Sequence, residues 1–206
     1  MAAQTGDLSH SFTDLMTSLA VIFILLLVAT LNNAFSDSDQ SIKDLRKEVA
    51  QELEKINLIL TQDPEDPYTQ IINLDEDKVK FDFNASDLRP DGKQLITALF
   101  AILTPRLCDT NLRSKIETII VEGHTDSVGN RTIDGKLRNV KLSQDRAYAV
   151  LNEAFLSLDS TSPANVDCLR TIALATGRGS AKPRNDDSSS RRVEVKIRVK
   201  SANRRG

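Results

Sequence analysis

The chain has 206 residues, of which 40% are hydrophobic and 27% charged, and its formal net charge at pH 7 is −2. This composition is typical of one folded domain with accessory segments, and it excludes a largely disordered chain. The near-neutral charge and the absence of Trp argue against a nucleic-acid-binding protein, since such proteins use a basic surface and aromatic stacking partners.

The first predicted element is an apolar helix over residues 12–35, preceded by a short polar lead, residues 1–11. No charged residue occurs from Leu15 to Phe35, and a helix of that length spans roughly 30 Å, the thickness of a bilayer core. A cleaved signal peptide is the alternative, but it normally begins with basic residues, and residues 1–42 contain no Lys or Arg. The sequence therefore predicts one uncleaved transmembrane helix.

A second predicted helix follows the membrane segment. The polar run SDSDQS, residues 36–41, is predicted to interrupt the helix, and apolar residues then recur every three or four positions. This apolar stripe consists of Ile42, Leu45, Val49, Leu53, Ile56 and Leu60. It predicts a helix over 42–60 within a linker of residues 36–64. Three roles remain open for it: packing on its own domain, pairing two subunits, or plugging a channel beside the membrane.

The remaining residues, 65–206, are predicted to form one α+β domain. Strand-like alternation and helix-like spacing follow each other in the order β-α-β-α-β-β, which places two helices on a mixed sheet. The predicted elements are strand 78–83, helix 90–107, strand 116–123, helix 143–158, strand 168–177 and strand 191–199.

Polar side chains gather at the end of one buried strand. The segment VEGHTDSVGN, residues 121–130, is a glycine-flanked turn that presents His124, Thr125 and Asp126. Arg146 lies in the first turn of the next predicted helix, which Ser143 is expected to cap. Because a basic residue is unfavourable near a helix N-terminus, we expect Arg146 to have a carboxylate partner, either Asp126 or a ligand held by the guanidinium fork.

These motifs together resemble the OmpA-like peptidoglycan-binding domain. The resemblance runs from KFDFNASDLRPDG to the last strand and rests on VEGHTDSVG, LSQDRAYAV, ATGRG and RRVEV. It implies a ligand, the diaminopimelate-type residue of the peptidoglycan stem peptide, gripped by an Asp and an Arg that fall on Asp126 and Arg146. The other ligand-binding positions that it implies are Thr125, Asn139 and Arg192.

The chain departs from the family pattern in two places. The segment NRTIDGKLR, residues 130–138, lengthens the spacing between Asp126 and Arg146 and is expected to reshape the site. Ser190 stands where the closing motif normally has Asn before its two arginines, which removes one amide contact. A domain that kept the fold and lost the ligand is therefore the alternative to peptidoglycan binding.

The resemblance also implies a topology, because peptidoglycan lies outside the cytoplasm. We expect a single-pass inner-membrane protein with its N-terminus in the cytoplasm and its C-terminal domain in the periplasm. In that oxidising compartment Cys108 and Cys168 either form one disulfide or remain two buried thiols.

An acidic residue, Asp14, stands at the start of the apolar run. Ionisable groups in a membrane segment are functional candidates, whereas an acid among the wet headgroups can simply complement the helix dipole. The surrounding SFTDLMTSLAVIFILLLV resembles the opening of the MotB-type stator subunit, in which the matching Asp carries the transported proton. The resemblance thus implies that Asp14 is the proton carrier.

The whole layout, a membrane helix with an acid, a short helix and an OmpA-like domain, resembles MotB-type stators. The short uncharged lead is more similar to the B subunit of Zorya antiphage defence motors than to flagellar stators, whose lead is basic and whose chain is longer. The resemblance implies a peptidoglycan-anchored subunit of a proton-driven rotary motor with a role in antiphage defence. It also implies a polytopic MotA-like channel subunit as partner, and a homodimer.

Other function classes remain as alternatives. One is a flagellar-type stator, and another is a structural envelope tether that passes no ions and does not need Asp14 to titrate. A hydrolytic enzyme is disfavoured, because no nucleophile or metal-ligand set accompanies His124 and Asp126 and the chain has only 2 His. We therefore expect no catalytic activity, no metal, no cofactor and no nucleic-acid partner, while the choice of H⁺ or Na⁺ stays open.

Overall fold

The computed structural model describes residues 5–82 and 84–201, and within these it describes only the backbone of residues 5–11 and 33–39. The elements are α1 (Thr5–Glu54), β1 (Leu60–Gln62), β2 (Thr69–Asp75), α2 (Pro90–Leu107), α3 (Thr110–Arg113), β3 (Ile116–His124), α4 (Ile133–Thr161), α5 (Pro163–Ile172), β4 (Ala173–Gly177), α6 (Asp187–Ser190) and β5 (Arg192–Val199). Residues Gln40–Lys200 form one compact unit, and the residues before Gln40 belong to a second.

Helix α1 is continuous from Thr5 to Glu54. Its apolar section, Phe12–Asn32, has 21 residues and a mean hydropathy of 2.4, which makes it long and apolar enough to cross a bilayer. The predicted interruption at residues 36–41 is wrong, because the helix passes through this run. Ser, Asp and Gln disfavour a helix only weakly, and the run contains neither Gly nor Pro.

The unit Gln40–Lys200 is built on a five-stranded mixed sheet with the strand order β1-β2-β5-β3-β4. Strand β5 pairs antiparallel with β2 and with β3, while β3 and β4 are parallel. Helix α4 packs on β3 and β4, and α2 packs on α4. The predicted fold class, α+β with a mixed sheet and an N-terminal apolar helix, is confirmed.

The C-terminal end of α1 is part of the domain core. Leu45, Val49 and Leu53 are fully buried and belong to the same hydrophobic cluster as Phe100 of α2. In the structure the apolar stripe therefore packs on its own domain, which is the first of the three roles that the sequence left open.

Polar contacts hold the same helical segment on the domain. Lys115 Nζ donates to Asp44 Oδ2 at 2.6 Å, and Arg46 Nε donates to Gln70 Oε1 at 2.8 Å. The helix ends at Glu54, earlier than predicted, and the following turn places Asn57 in the left-handed region with φ 57°. Asn is among the few residues that tolerate this conformation, so the turn suits the sequence.

Two predicted strands are misplaced. The run 78–83 holds only an isolated bridge between Phe81 and Leu88, with residue 83 outside the described residues, and β2 is the strand that precedes α2. The predicted strand 168–177 begins at Ala173, because Pro163 starts helix α5, and Pro favours the first helical turn.

The structure joins Cys108 and Cys168 in a disulfide, with Cα atoms 6.0 Å apart. Cys108 is the C-cap of α2, and Cys168 lies in α5 rather than in a strand. The bond closes a loop with a sequence separation of 60. In the chain-entropy treatment a loop of this size gives about 4 kcal/mol of stabilisation through the unfolded state.

Leu53→Ala tests whether the end of α1 contributes to the domain core. Because Leu53 is fully buried, we expect the free energy of unfolding of a fragment starting at Gln40 to fall by about 2–5 kcal/mol. Chemical denaturation followed by circular dichroism measures this. The control is Ile59→Ala, which removes an aliphatic side chain that is 68% exposed and should change stability by less than about 0.5 kcal/mol. Equal stability of the two variants would show that the segment is not docked.

Candidate functional site

Helix α4 contacts the sheet at two glycines. A Cβ atom on Gly123 of β3 would lie 2.0 Å from the carbonyl oxygen of Ser143, and one on Gly177 of β4 would lie 2.4 Å from the backbone nitrogen of Gln144. Ser143 is fully buried at this contact, where its hydroxyl accepts a hydrogen bond from the Gly179 backbone N–H at 2.8 Å. Ser143 is thus a packing residue inside α4 and not the predicted N-cap.

The inserted segment, residues 130–138, forms the beginning of α4. Thr132 is the N-cap, and its hydroxyl oxygen accepts a hydrogen bond from the backbone N–H of Gly135 at 3.1 Å. A threonine cap followed by Asp134 in the first turn is a favourable helix start, which explains why the helix begins earlier than predicted. Arg146 consequently lies in the helix interior, where the end of the helix dipole no longer affects it.

A cavity of about 350 Å³ lies where residues after β2, residues after β3, the first half of α4 and the residue before β5 meet. Its lining consists of Glu76, Asn84, Thr125, Asp126, Val128, Asn139, Leu142, Arg146 and Arg191. The structure thus brings together the predicted site residues Thr125, Asp126, Asn139 and Arg146. It does not bring Arg192 to this cavity.

Arg146 is buried, with 5% of its surface exposed. Its Nε donates to the carbonyl oxygen of Ala85 at 3.0 Å, and its guanidinium carbon lies 4.9 Å from the centre of the Phe81 ring. Burial lowers the pKa of Arg146 below its ordinary value, and the positive charge of Arg191 adds to this, while Glu76 and Asp126 act in the opposite direction. Among the described residues, none forms an ion pair with Arg146, so the cavity holds an arginine without a carboxylate partner.

Asp126 pairs with Arg191 instead of Arg146. Arg191 Nη1 donates to Asp126 Oδ2 at 2.7 Å, and Arg191 Nε donates to Glu76 Oε2, also at 2.7 Å. These two carboxylates raise the pKa of Arg191, with the hydrogen bond to Asp126 as the largest cause. Asp126 also accepts the backbone N–H of Val128 at 3.0 Å, which shapes the turn after β3.

Asn139 and Thr125 have different surroundings in the cavity. The Asn139 amide donates to the Val128 carbonyl oxygen at 2.9 Å and to Asn130 Oδ1 at 3.0 Å, so it holds the turn after β3 against α4. Thr125 is 3% exposed, and its hydroxyl has no hydrogen-bond partner among the described residues. Buried hydroxyls normally have a partner, which marks Thr125 as a group that a ligand could satisfy.

Arg192 lies in a different environment from the one that the resemblance implied. It is the first residue of β5, it is 6% exposed, and its Nε donates to Glu194 Oε1 at 2.6 Å. Alternate residues of a strand point to opposite faces, so Arg192 shares a face with Glu194 and Lys196, away from the buried valines. Arg191 precedes the strand and is the arginine that lines the cavity.

The sequence contains one pattern that distinguishes the two arginines. Along RRVEVKIRV charged and apolar residues alternate, which places Arg192 on the face of Glu194 and Lys196. No comparable pattern pointed to Glu76, which directly follows the last residue of β2, Asp75, in the acidic run DEDK. Ser190, which replaces the Asn of the family motif, is 3% exposed and forms hydrogen bonds within the segment before β5. Its hydroxyl donates to the Asp186 carbonyl oxygen at 2.8 Å and accepts the Arg184 backbone N–H at 2.9 Å.

The sheet face that carries Arg192 also holds a buried group of charges. His124 Nε2 lies 3.2 Å from Glu122 Oε1 and 3.5 Å from Glu194 Oε2, although neither ring nitrogen has a hydrogen bond to a described residue. Lys196 Nζ contacts both carboxylates. The ligand atoms of Glu122, His124 and Glu194 lie within 4.8 Å of one another, as a metal site requires. The two carboxylates are already neutralised by Lys196 together with Arg178, which pairs with Glu122, and Arg192, which pairs with Glu194.

Asp14 lies in α1, near the N-terminal end of the apolar span Phe12–Asn32. Its side chain is exposed in the isolated chain, and its backbone carbonyl oxygen accepts a hydrogen bond from the Ser18 hydroxyl at 2.8 Å. The carboxylate is therefore available to a bilayer or to a partner helix.

The sequence model of the OmpA family matches residues 80–196, more than half of the chain. The chain belongs to the OmpA family. Outer membrane protein A of Bordetella avium is 31% identical over 123 residues, which cover 57% of this chain and 52% of that protein. The match includes the turn after β3, helix α4 and most of β5, so it contains all the residues that line the cavity except Glu76.

A relative that aligns over most of the chain is Zorya protein ZorB of Escherichia coli O139:H28, 23% identical over 203 residues that cover 91% of this chain and 78% of that protein. Among solved structures, a protein described as MotB-like from Desulfovibrio vulgaris has a TM-score of 0.53, with 17% identity, 82% of this chain covered and 95% of that chain. The predicted resemblances to OmpA-like domains, the Zorya B subunit and the MotB fold are thereby confirmed as similarities.

The buried charges predict a loss of stability in acid. Burial would raise the pKa of Glu122, but contacts with His124, Lys196 and Arg178 outweigh it and lower the pKa from 4.5 to about 2. Burial would also raise the pKa of Glu194, but contacts with His124 and Arg192 outweigh it and lower that pKa. A carboxyl with a depressed pKa stabilises the fold above its ordinary pKa, and this stabilisation is lost as the pH falls from about 4.5 toward about 2.

Glu122→Gln should therefore lower the free energy of unfolding at pH 7 by about 3 kcal/mol, because it leaves Lys196 with less compensation. It should also make the free energy of unfolding less dependent on pH in acid, since one carboxyl with a lowered pKa has been removed. Denaturant unfolding at pH 7 and near pH 3 measures both effects. The matched control is Glu48→Gln at an exposed position, which should keep the acid dependence of the parent. If the free energy of unfolding of Glu122→Gln depended on acid pH as strongly as that of the parent, the pKa of Glu122 would not be lowered in the folded protein.

Proposed function

We propose that this chain is the peptidoglycan-anchored subunit of a proton-driven rotary motor in the inner membrane, with a role in antiphage defence. The proposal is carried by one combination in a single chain: Asp14 near the end of an apolar span, and an OmpA-family cavity with an unpaired buried arginine. The similarity to ZorB supports it, because that alignment covers 91% of the chain and so extends beyond the OmpA-family region, residues 80–196.

In this proposal the cavity binds the diaminopimelate-type residue of the peptidoglycan stem peptide. Arg146 receives the ligand carboxylate through its free guanidinium nitrogens, and Thr125 supplies the unsatisfied hydroxyl. Asp126 contacts the ligand on the side of the cavity where it is hydrogen-bonded to Arg191 in the structure. Arg191 replaces Arg192 in the set of contact residues, because it is Arg191 that lines the cavity.

The wall contact fixes the proposed topology, with the N-terminus in the cytoplasm and the domain in the periplasm. Asp14 takes up a proton from one side, becomes neutral, and releases the proton to the other side. Each change of charge alters its contact with a polytopic, MotA-like channel subunit, while the domain holds this chain, as a homodimer, against the wall. A structural tether is the competing function, because Asp14 lies at the boundary of the apolar span, where an acid can stay hydrated among the headgroups without carrying a proton. The helix dipole does not account for Asp14, since α1 begins at Thr5 and Asp14 lies beyond its first turn.

Wall binding is tested by Arg146→Ala and Asp126→Ala in pull-down of the domain by purified peptidoglycan. Loss of a charged contact in a desolvated site costs on the order of 2–5 kcal/mol, so binding should fall by roughly 30-fold to several thousandfold. Arg146→Lys should recover little, because Lys keeps the charge without the two-pronged geometry. Arg191→Ala should weaken binding more than Arg192→Ala does.

The matched control for wall binding is Arg170→Ala, which removes an arginine that is 74% exposed and lies outside the cavity. Circular dichroism establishes that each variant is folded. Retained binding by both Arg146→Ala and Asp126→Ala would contradict the site. Such a result would leave the fold without this ligand.

Asp14→Asn separates motor from tether. Asn has nearly the shape of Asp but cannot titrate, so the variant should assemble with the channel subunit, reach the membrane and bind the wall, yet fail to protect cells against phage. Phage plating together with proton flux in membrane vesicles measures this. The control is Asp7→Asn, which changes an acid in the lead outside the apolar span. Full protection by Asp14→Asn would leave only the tether.

A further inference from the structure

The first turns of α4 carry aliphatic side chains that the domain does not cover. Ile133 is 75% exposed, Leu137 61% and Val140 43%, and the spacing of four and three residues places them on one face of the helix. We call these three residues the α4 stripe. Exposed apolar residues on one face of a helix usually mark a contact surface when they are contiguous, whereas scattered ones need no explanation.

The α4 stripe lies within a basic surface. Between residues 130 and 141 the chain has four basic residues and one acidic residue, and all five are exposed. They are Arg131, Lys136, Arg138, Lys141 and Asp134. Lys136 and Lys141 fall on the two sides of the stripe, although Lys141 also pairs with Asp145 at 2.6 Å. The surface therefore combines an aliphatic stripe with positive flanks.

The positive charge around the α4 stripe distinguishes three possible partners: a second copy of this chain, nucleic acid and an anionic bilayer. A second copy of this chain would place the same basic residues opposite each other across a two-fold axis, which is repulsive. Nucleic acid would match the charge, but it is recognised through basic and aromatic or polar groups rather than through Ile, Leu and Val. A bilayer containing anionic lipid matches both features, since apolar side chains enter the acyl boundary while Lys and Arg meet the headgroups.

The covalent chain keeps a bilayer within reach of this surface. The apolar span ends at Asn32 and the compact domain unit begins at Gln40. Even a fully extended connection of this length covers only about 30 Å, at roughly 3.5 Å per residue. A short tether gives a high effective concentration of bilayer around the domain, so a weak surface contact is sufficient.

We propose that the α4 stripe and its basic flanks form a docking surface for an anionic lipid bilayer. Val128, which is 67% exposed, lines the ligand cavity and precedes the stripe in the chain. Docking on lipid would thus cover one rim of the cavity. The inference does not depend on peptidoglycan binding, because it uses only the exposed residues of α4 and the length of the connection.

The absence of Trp from the chain allows a direct test with the full-length protein in vesicles. Leu137→Trp places a single Trp in the stripe, and Leu156→Trp places one at a position of α4 with the same 61% exposure, outside the basic segment. Both proteins are reconstituted in vesicles of phosphatidylcholine and phosphatidylglycerol in equal parts, with and without brominated acyl chains. We expect brominated lipid to quench the Trp of Leu137→Trp, with a blue-shifted emission, and to leave that of Leu156→Trp almost unchanged.

Three further measurements test the electrostatic part of the proposal. Quenching of Leu137→Trp should be lost in pure phosphatidylcholine vesicles, at high salt, and in a variant that also carries Lys136→Glu and Arg138→Glu. Equal quenching of the two Trp positions would overturn the proposal, as would quenching that persists after charge reversal. A blue shift of Leu137→Trp that ignores brominated lipid and grows with the protein-to-lipid ratio would overturn it in favour of self-association.

Discussion

The contact of Ser143 with Gly123 and Gly177 sets the geometry of the cavity, because a helix resting directly on two strand backbones has little freedom to shift. Asn139 and Arg146 lie four residues before and three residues after Ser143, on the same face of α4. The Ser143 hydroxyl also accepts the Gly179 N–H, and the Gly179 carbonyl oxygen accepts the Thr125 N–H. The turns after β3 and β4 are therefore tied to the same contact, so a side chain at either glycine would displace several cavity residues together.

The charges of the cavity are unequally compensated. Asp126 and Glu76 both bind Arg191, so these three groups are satisfied without a ligand. Among the described residues, Arg146 makes direct contact with a carbonyl oxygen and an aromatic ring, and both compensate a buried cation less well than a carboxylate in direct contact does. Arg146 stays protonated despite its lowered pKa, because guanidinium does not lose its proton in proteins. An anion entering the cavity therefore meets a positioned positive charge that has no carboxylate in direct contact among the described residues.

Much of this arrangement could be predicted from the sequence, and the failures have identifiable causes. The helix 90–107 and the strands around Val121 and Val195 have strong periodicity, which is why their type and place were predicted correctly. The boundary at residues 36–41 failed because polar residues without Gly or Pro do not stop a helix. Glu76 could not be predicted as a cavity residue, since its place there depends on the strand order β2-β5-β3, which brings distant segments together.

The docking of α1 on the domain constrains what the linker helix can do in a motor. Channel plugging and subunit pairing were both inferred from the apolar stripe, yet Leu45, Val49 and Leu53 of that stripe are fully buried in the domain. Releasing them would expose three aliphatic side chains at about 1.5–3 kcal/mol each, a sum comparable with the whole stability of a small domain. The outward side of the same segment carries Lys43, Lys47 and Glu48, which are exposed and charged. A role for this segment beside the membrane must therefore use its charged side, or it requires a partner that repays the cost of undocking.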